Sequence, residues 1–329
     1  MRIALTLPTL LLIPLDRLLW RSGAFNRRDE ARAAIADGRV LVDDVLYTKN
    51  AAVEASSTIW LDASPLPPPP PTVTYALHKP RGVLTTCADG DGATVMDLLP
   101  KVHGLSPVGR LDRDSEGLIL LTNDGTCAKL LLEPGACPKT YVALVEPRVP
   151  LYGDCDDDSA WLRRMESGIV LANGYAAKAE SCRVLDAASA RTIGCEAFAG
   201  LLAEGQGGSD AGHRLVEVVM RQGAKREVRR LLKAAGYRTL RLCRVAVGNV
   251  AIDGLHSGEV REVSRDQLLG LYASAFRDHS SSVMDLPTFD APTGGWVRAS
   301  ELAAIGSERR ACGATVTARV CVCVCVCVG

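Results

Sequence analysis

The chain has 329 residues, with 38 Lys plus Arg balanced by 38 Asp plus Glu, and therefore a formal net charge of zero. The length fits more than one domain, and the charge balance excludes a chain-wide basic field, so any nucleic-acid surface must be local. A hydrophobic fraction of 47% supplies a sizeable core, while aromatics at 5% argue against a stacking platform for single strands.

The N-terminal run IALTLPTLLLI (3–13) is apolar, too short to span a bilayer and broken by Pro8. No clear small-residue cleavage site follows it, and Arg and Ser are too few for a transit peptide. Residues 1–14 are read as an apolar leader that packs on the first domain or frays, with organelle import as the minority option. Residues 15–62 form a small module. Leu15, Leu18 and Leu19 recur at helical spacing. Asn26 is the expected cap of a second helix, with Asp29 completing a box-like pattern and Ala31, Ala34 and Ile35 forming its apolar stripe. Gly38 stops that helix, Arg39–Asp44 reads as a strand and turn, and Ser57–Leu61 as a closing strand. Arg27, Arg28 and Arg32 share one side of the second helix. Such a cluster could grip phosphates, although charge alone favours a solvated helix face.

Ala63–Thr72 reads ASPLPPPPPT, whose five consecutive prolines predict a polyproline spacer extending roughly 3 Å per residue. The larger module, 73–276, begins with a strand from Tyr75 to a Pro80-Arg81-Gly82 turn, continued by Val83–Thr86. A short helix (Thr94–Leu99), an apolar strand (Gly117–Thr122), a helix (Cys127–Leu132) and a strand (Lys139–Val145) follow. Then come an acidic loop at Asp154–Asp158, a helix (Asp158–Gly168) and a Gly- and Ala-rich insertion at 195–212. A strand (Leu215–Met220), a basic helix (Lys225–Ala235) and a strand (Leu240–Val247) close the pattern. Strands dominate without a βαβ repeat, which predicts an α+β fold with a mostly antiparallel sheet.

Residues 277–329 are read as a disordered tail. It ends in VCVCVCVCVG, which a GT dinucleotide repeat encodes, a weak pointer to a eukaryotic genome or a misread gene. Cys87, Cys127, Cys137, Cys155, Cys182, Cys195 and Cys243 are scattered singly, as expected in a reducing compartment rather than in a disulfide or zinc framework. No G-x-G-x-x-G, P-loop or H-E-x-x-H is present, and the five His have no ligand spacing, so neither metal nor nucleotide cofactor is expected.

The densest constellation is VGRLDRDSEGLILLTNDG, 108–125, where three carboxylates and two arginines precede a wholly apolar strand. A charged loop on a rigid strand is a common way to present a reactive side chain. It reads equally as a salt-bridged surface turn. This segment resembles the active-site motif of pseudouridine synthases of the RsuA/RluB/E/F family. The resemblance runs in family order from His78-Lys79-Pro80-Arg81-Gly82 through Lys139-Thr140-Tyr141 and Arg226–Leu231 to Leu242–Gly248 and Ser257–Glu262. Within it the catalytic domain looks nearest to ribosomal large subunit pseudouridine synthase E. NRRDEARAAIADGRVLVDD (26–44) resembles the S4 RNA-binding domain, with Asp44 where a turn glycine is usual.

These resemblances imply a small S4-like α/β RNA-binding module joined by a Pro-rich linker to a pseudouridine synthase domain. The implied reaction breaks the C1′–N1 bond of one uridine in ribosomal RNA, turns the base and rejoins it through C5, with no cofactor. Asp112 would be the catalytic aspartate, acting covalently on sugar or base or by taking a sugar proton, and a fixed cation beside it would favour its ionised form. Arg229 falls where the family places that cation, Tyr141 where a tyrosine stacks on the base, and Leu242 where an apolar residue packs beside it. Taken singly, each also reads as ordinary core or surface.

Arg27, Arg28, Arg32, Lys79, Arg110, Lys225, Arg226 and Arg230 are the expected RNA contacts. From Arg221 to Arg244 many cations face only Glu227, which predicts a phosphate-binding footprint. His78 in place of Asn, and Gln222-Gly223-Ala224-Lys225 in place of Glu-Gly-Arg-Asn, depart from the family pattern. The expected partners are ribosomal RNA or pre-ribosomal particles, with no membrane, for a monomer in the cytoplasm or, for a eukaryotic gene, an organelle. The rival readings are a non-catalytic RNA-binding assembly factor on the same scaffold, and an S4 module tethering an unrelated enzyme.

Overall fold

The computed structural model describes residues 12–88, 92–147, 158–193, 198, 213–276, 288–290 and 295–297. The acidic loop up to Asp157, most of the 195–212 insertion, residues 1–11 and the Val-Cys repeat lie outside them.

The N-terminal unit comprises β1 (Leu12–Pro14), α1 (Leu15–Arg21), α2 (Arg28–Ala36), β2 (Val40–Val42), β3 (Val45–Tyr47), β4 (Ala52–Glu54), β5 (Ile59–Leu61) and β6 (Ser64–Pro65). Leu15, Leu18 and Leu19 of α1 pack on Ala31, Ala34 and Ile35 of α2 and on Val40, Val42 and Val53, as their spacing predicts. Leu12–Pro14, placed in the leader by sequence, pairs antiparallel with β4, because Ile13 completes this core. The α2 cap also shifts by one residue. Arg27 is the N-cap, and Glu30 rather than Asp29 turns back, its Oε2 accepting from the backbone N–H of Asn26 and Arg27. Glu30 is the residue three positions on from the true cap. The β2–β3 turn places Asp43 at φ 47° and Asp44 at φ 65°, the left-handed pair of a tight hairpin whose second position favours glycine.

In the larger unit the strands are β7 (Thr74–Lys79), β8 (Ser106–Val108), β9 (Glu116–Thr122), β10 (Lys139–Pro147), β11 (Ile169–Val170), β12 (Ala176–Ala177), β13 (Ser181–Leu185), β14 (Arg214–Met220), β15 (Tyr237–Val247), β16 (Val250–Ala251) and β17 (Val260–Glu262). The helices are α3 (Gly125–Leu132), α4 (Asp158–Ser167), α5 (Ala187–Thr192), α6 (Glu227–Ala234) and α7 (Arg265–Phe276). One sheet runs β13-β14-β10-β15-β9-β7-β17, with β16 beside β15 and β8 beside β9. Every pairing in it is antiparallel except β15 with β9. The fold is therefore α+β and mostly antiparallel.

The middles of β9 (Leu118–Leu121) and β10 (Val142–Val145) are continuously apolar because both faces are covered there. On β9, Leu118 and Leu120 pack under α3 and α7, while Ile119 and Leu121 meet Leu77, Val95 and Leu111 on the other face. On β10, Ala143 and Val145 meet Val228, Leu231 and Leu232 of α6. Several expectations are corrected. Val83–Thr86 does not extend β7, since only a single bridge, Leu84 to Thr94, forms there. The expected helix at Thr94–Leu99 is a 3-10 turn, Val95–Leu98. Helix α3 starts at Gly125, because Asp124 Oδ1 caps the Thr126 N–H at 2.9 Å. Within the expected tail, Thr288–Asp290 and Gly295–Val297 pair antiparallel.

The two units touch. Trp20 meets His103 with ring centroids 5.5 Å apart, and Arg17 Nη2 donates to Thr126 Oγ1 at 3.3 Å. The linker is docked rather than free: Asn123 Nδ2 donates to Pro71 O, its Oδ1 accepts from Val73 N–H, and Arg21 Nη2 donates to Pro70 O. Among the described residues no helix is long and apolar enough to cross a membrane. Replacing Asp44 with glycine relieves one left-handed residue, and is expected to stabilise the N-terminal unit by about 0.5–1 kcal/mol, read as a higher denaturation midpoint with an unchanged slope.

Candidate active site

The site lies where the two halves of the sheet meet. Cys243 pairs with Glu116 and Arg244 with Gly117 where β15 and β9 run parallel. Gly117 sits at φ 107°, and a Cβ there would meet Arg244 O at 2.3 Å and Arg244 N at 2.5 Å, so only glycine admits this approach. The loop 109–115 immediately before β9 is thereby held against β15 and α6.

Asp112 is half-buried, and Arg226 Nη1 lies 3.5 Å from its Oδ2. Arg226 also grips Asp114 with both terminal nitrogens, at 3.0 and 3.1 Å, and that bond, with Arg229 nearby, holds the Asp114 carboxyl below its ordinary range. Arg226 is the N-cap residue of α6 at φ 54°, a left-handed conformation unusual for a side chain of its size. Arg229 Nη2 donates to Asp114 O at 3.0 Å and to Ser115 Oγ at 3.2 Å. Burial pushes its guanidinium down, opposed by the charges of Asp114 and Asp112. The expected cation beside Asp112 was Arg229. The ion pair to that carboxylate comes from Arg226, one helical turn earlier, while Arg229 braces the loop through Asp114 and Ser115.

Asp112, Tyr141, Leu242, Arg226 and Arg229 line one cavity of about 720 Å³. A second hollow of about 970 Å³, bordered by Arg81, Thr85, Arg110 and Arg113, shares Asp112 and Arg226 with it. Tyr141 on β10 stands opposite Arg244 on β15, and Ala143 opposite Leu242, so Tyr141, Leu242 and Arg244 share one face. Leu242 is buried and Tyr141 half-buried. Tyr175, which sequence reasoning passed over, donates to Glu227 Oε1 at 2.7 Å and also meets the Gln222 side-chain amide, while Glu227 Oε2 accepts from the Ala224 N–H at 2.9 Å. Together they shape the 222–226 turn beside the cavity. Burial and then Glu227 push the Tyr175 phenol up to about 12.

The expected RNA contacts divide. Arg27, Arg28, Arg32, Arg110, Lys225 and Arg226 are exposed, and Arg230 is half-exposed with Asn173 as partner. Arg28 Nη2 and Arg32 Nε both donate to Asp16 Oδ2 at 2.7 Å, so this fully buried carboxylate holds the two guanidinium groups side by side. Lys79 is corrected. It is 0% exposed, and its Nζ donates to Pro80 O and Val83 O, so it supports the Pro-Arg-Gly turn from inside. The basic row is also less naked than its sequence suggests: Arg221 pairs with Glu180, Arg238 with Glu146 and Arg241 with Glu116. Among the described residues no group of three His, Cys, Asp or Glu could hold a metal ion.

Comparison with known proteins fits this geometry. The RNA pseudouridylate synthase family model matches residues 73–234. An uncharacterised RNA pseudouridine synthase of Mycobacterium leprae is 34% identical over 268 residues, covering 79% of this chain and 92% of its own length. The chain belongs to the RNA pseudouridine synthase family. Ribosomal large subunit pseudouridine synthase B of Bacillus subtilis is 30% identical over 82% of this chain and 98% of its own. The dual-specificity RNA pseudouridine synthase RluF of Escherichia coli is 26% identical over 79% and 78%. The protein is thus an RNA isomerase, a pseudouridine synthase of the RsuA/RluB/E/F kind.

Burial pushes the Lys79 ammonium down to about 8, against the attraction of Glu116, Asp114 and Asp112. Between pH 8 and its unfolded value of 10.5 the unfolded chain binds more protons at this residue, so stability due to Lys79 rises with pH there. Relative to Lys79→Met, the wild type is expected to gain stability as pH rises from 8 to 10.5, read from urea midpoints of the two proteins. Parallel pH profiles would contradict an ammonium pushed down by burial.

Proposed function

We propose that this synthase isomerises one uridine of ribosomal RNA, with Asp112 as its catalytic carboxylate and no cofactor. The convergence of Asp112, Tyr141 and Leu242 on a single cavity of nucleotide size carries this reading. The name of the Bacillus relative, a large-subunit pseudouridine synthase, supports ribosomal RNA of the large subunit as the substrate class.

To reach Asp112 the target base leaves its stack, which costs a few kcal/mol that contacts elsewhere on the RNA must offset. Tyr141 stacks on the extruded base and Leu242 packs at its side. The Asp112 carboxylate either attacks covalently or takes a sugar proton, and the C1′–N1 bond breaks with its electron pair leaving on the base. The base turns and C5 bonds to C1′ as the bond to the carboxylate breaks or the sugar regains its proton; the C5 proton departs and N1 gains one, so the product is an isomer of the substrate and Asp112 is restored. Arg226 fixes the carboxylate and Arg229 fixes the loop that bears it, so the nucleophile is positioned before the substrate arrives.

The N-terminal unit is proposed to act as an S4 module, with Arg27, Arg28 and Arg32 on phosphates and Asp16 presenting the latter pair. Burial would raise the Asp16 carboxyl, but the hydrogen bonds of Arg32 and Arg28 and their charge prevail and hold it below its ordinary value. Arg28→Glu/Arg32→Glu is expected to lower RNA affinity at least tenfold and reduce the salt slope by about 2, with the single-turnover rate at saturating enzyme unchanged. Equal affinity would remove the S4 assignment.

The deciding experiment is pseudouridine mapping on ribosomal RNA transcripts and on partly assembled particles, with wild type and Asp112→Asn. One Asp112-dependent site is expected, with binding retained in the variant. Tight, salt-sensitive binding without any modification on either substrate would favour the non-catalytic assembly factor instead.

A further inference from the structure

We propose that Arg244 reads the target base, donating a hydrogen bond to one carbonyl oxygen of the extruded uracil and holding the negative charge that appears on the ring when the glycosidic bond breaks. The proposal rests on the reading of the cavity as a pseudouridine synthase site and adds to it a residue that the sequence motif does not single out.

Arg244 is 2% exposed and lines the cavity. Its Nε donates to Leu118 O at 2.7 Å, while its Nη2 is fully buried with no hydrogen-bond partner among the described residues. Nor does any described carboxylate form an ion pair with it. A guanidinium offers five N–H donors, and a buried charged donor left unpaired is expensive. Anchoring one strand to Leu118 O would need no charge at all. The unpaired edge is explained if the partner arrives with the substrate.

The position of Arg244 indicates what that partner is. It is the cross-strand partner of Tyr141 and shares a face with Leu242. A base held by Tyr141 and Leu242 therefore neighbours Arg244. Lys139, in the same cavity, donates to Cys137 O at 3.2 Å, and its ammonium is pushed down by burial and then by the Arg244 charge. The cavity wall thus gathers positive charge from half-buried Lys139 and Arg229 and from buried Arg244.

Cleavage of C1′–N1 puts an electron pair on N1, and conjugation spreads it to O2 and O4. A fixed cation at either oxygen stabilises the separated base more than the bound uridine, which is the requirement for accelerating the step. If the oxygen is O4, the same contact excludes cytosine, which carries an amino group there.

The test compares wild type, Arg244→Met and Arg244→Lys on ribosomal RNA transcripts made with uridine, 2-thiouridine or 4-thiouridine throughout. Sulfur accepts hydrogen bonds weakly, and effects on RNA structure are common to all three proteins. Wild type is expected to lose about 10- to 100-fold in rate or affinity on one of the two thio transcripts, the size of one charged hydrogen bond. Arg244→Met is expected to be slowed by a similar factor on ordinary RNA and to be insensitive to that sulfur, with Arg244→Lys partly restored. The sensitive transcript identifies the oxygen.

Equal thio effects in wild type and Arg244→Met would overturn the proposal. If Arg244→Met fails to fold, Arg244→Lys and Arg244→Gln carry the same comparison. Wild type that binds with an Arg244-dependent thio effect yet modifies nothing would uphold the base contact and overturn the isomerase reading. Binding indifferent to sulfur, with no modification, would overturn both.

Discussion

The molecule depends on one close backbone approach. Strands β9 and β15 meet through two residue pairs, at Glu116–Cys243 and Gly117–Arg244, and theirs is the one parallel pairing among the described strands of an otherwise antiparallel sheet. The β7, β8 and β17 strands hang from β9, and β10, β13 and β14 from β15. The seam is short in hydrogen bonds, so side chains reinforce it. Arg241 reaches Glu116 with a bidentate pair at 3.0 and 2.7 Å, and Arg244 Nε reaches Leu118 O. Residues from both halves then face one another at its end: the Asp112 loop from one side, Tyr141 and Leu242 from the other. Neither half alone holds the constellation.

Charge neutrality of the chain has a local counterpart in the pairing around this seam. The cations that cluster between Arg221 and Arg244 in sequence meet acids drawn from distant segments: Glu180, Asp114, Asp112, Glu146 and Glu116. The exposed pairs among these, such as Arg238–Glu146, contribute little stability each, and salt screens them. Their larger effect is geometric, because a guanidinium held by a carboxylate has a defined direction. Arg226 illustrates this. One side chain bridges Asp114 and Asp112 and closes the turn into α6, so the orientation of the Asp112 carboxylate depends on a residue 114 positions away in a helix cap.

The fold class was legible because burial leaves a simple trace. Leu118–Leu121 are unbroken apolar residues, as a strand covered on both faces requires, and Leu15, Leu18 and Leu19 carry the helical period. The motif 108–125 and its relation to Tyr141 and Leu242 were legible through resemblance, which preserves order along the chain. The rest was not, for identifiable reasons. Asp16 looks like one more surface acid of α1, and only the packing of α2 buries it beneath two arginines. Lys79 looks like an RNA contact beside Arg81, yet the strand period turns it inward. The exchange of roles between Arg226 and Arg229 turns on a left-handed residue at the helix start, which no propensity scale foretells for arginine.

The last part of the motif shows why resemblance alone assigns too much to chemistry. Thr122, Asn123 and Asp124 lie beyond the cavity and make structural bonds. Thr122 Oγ1 donates to Val73 O and accepts from the Asp124 N–H, Asn123 holds Pro71 and Val73, and Asp124 caps α3 while lying 3.9 Å from Arg17. These bonds fix where the proline spacer enters β7 and where α1 rests on the larger unit. The same short segment therefore sets two geometries at once. Its first residues aim the carboxylate at the cavity, and its last anchor the N-terminal unit, from which Arg28 and Arg32 project. A spacer of consecutive prolines transmits such an anchor better than a flexible one would, since its φ angles are fixed and little orientation is lost along it. The distance between the helix that bears Arg28 and Arg32 and the Asp112 carboxylate is thus set by the fold, which, on the function proposed above, limits the uridines that a folded RNA can place at Asp112.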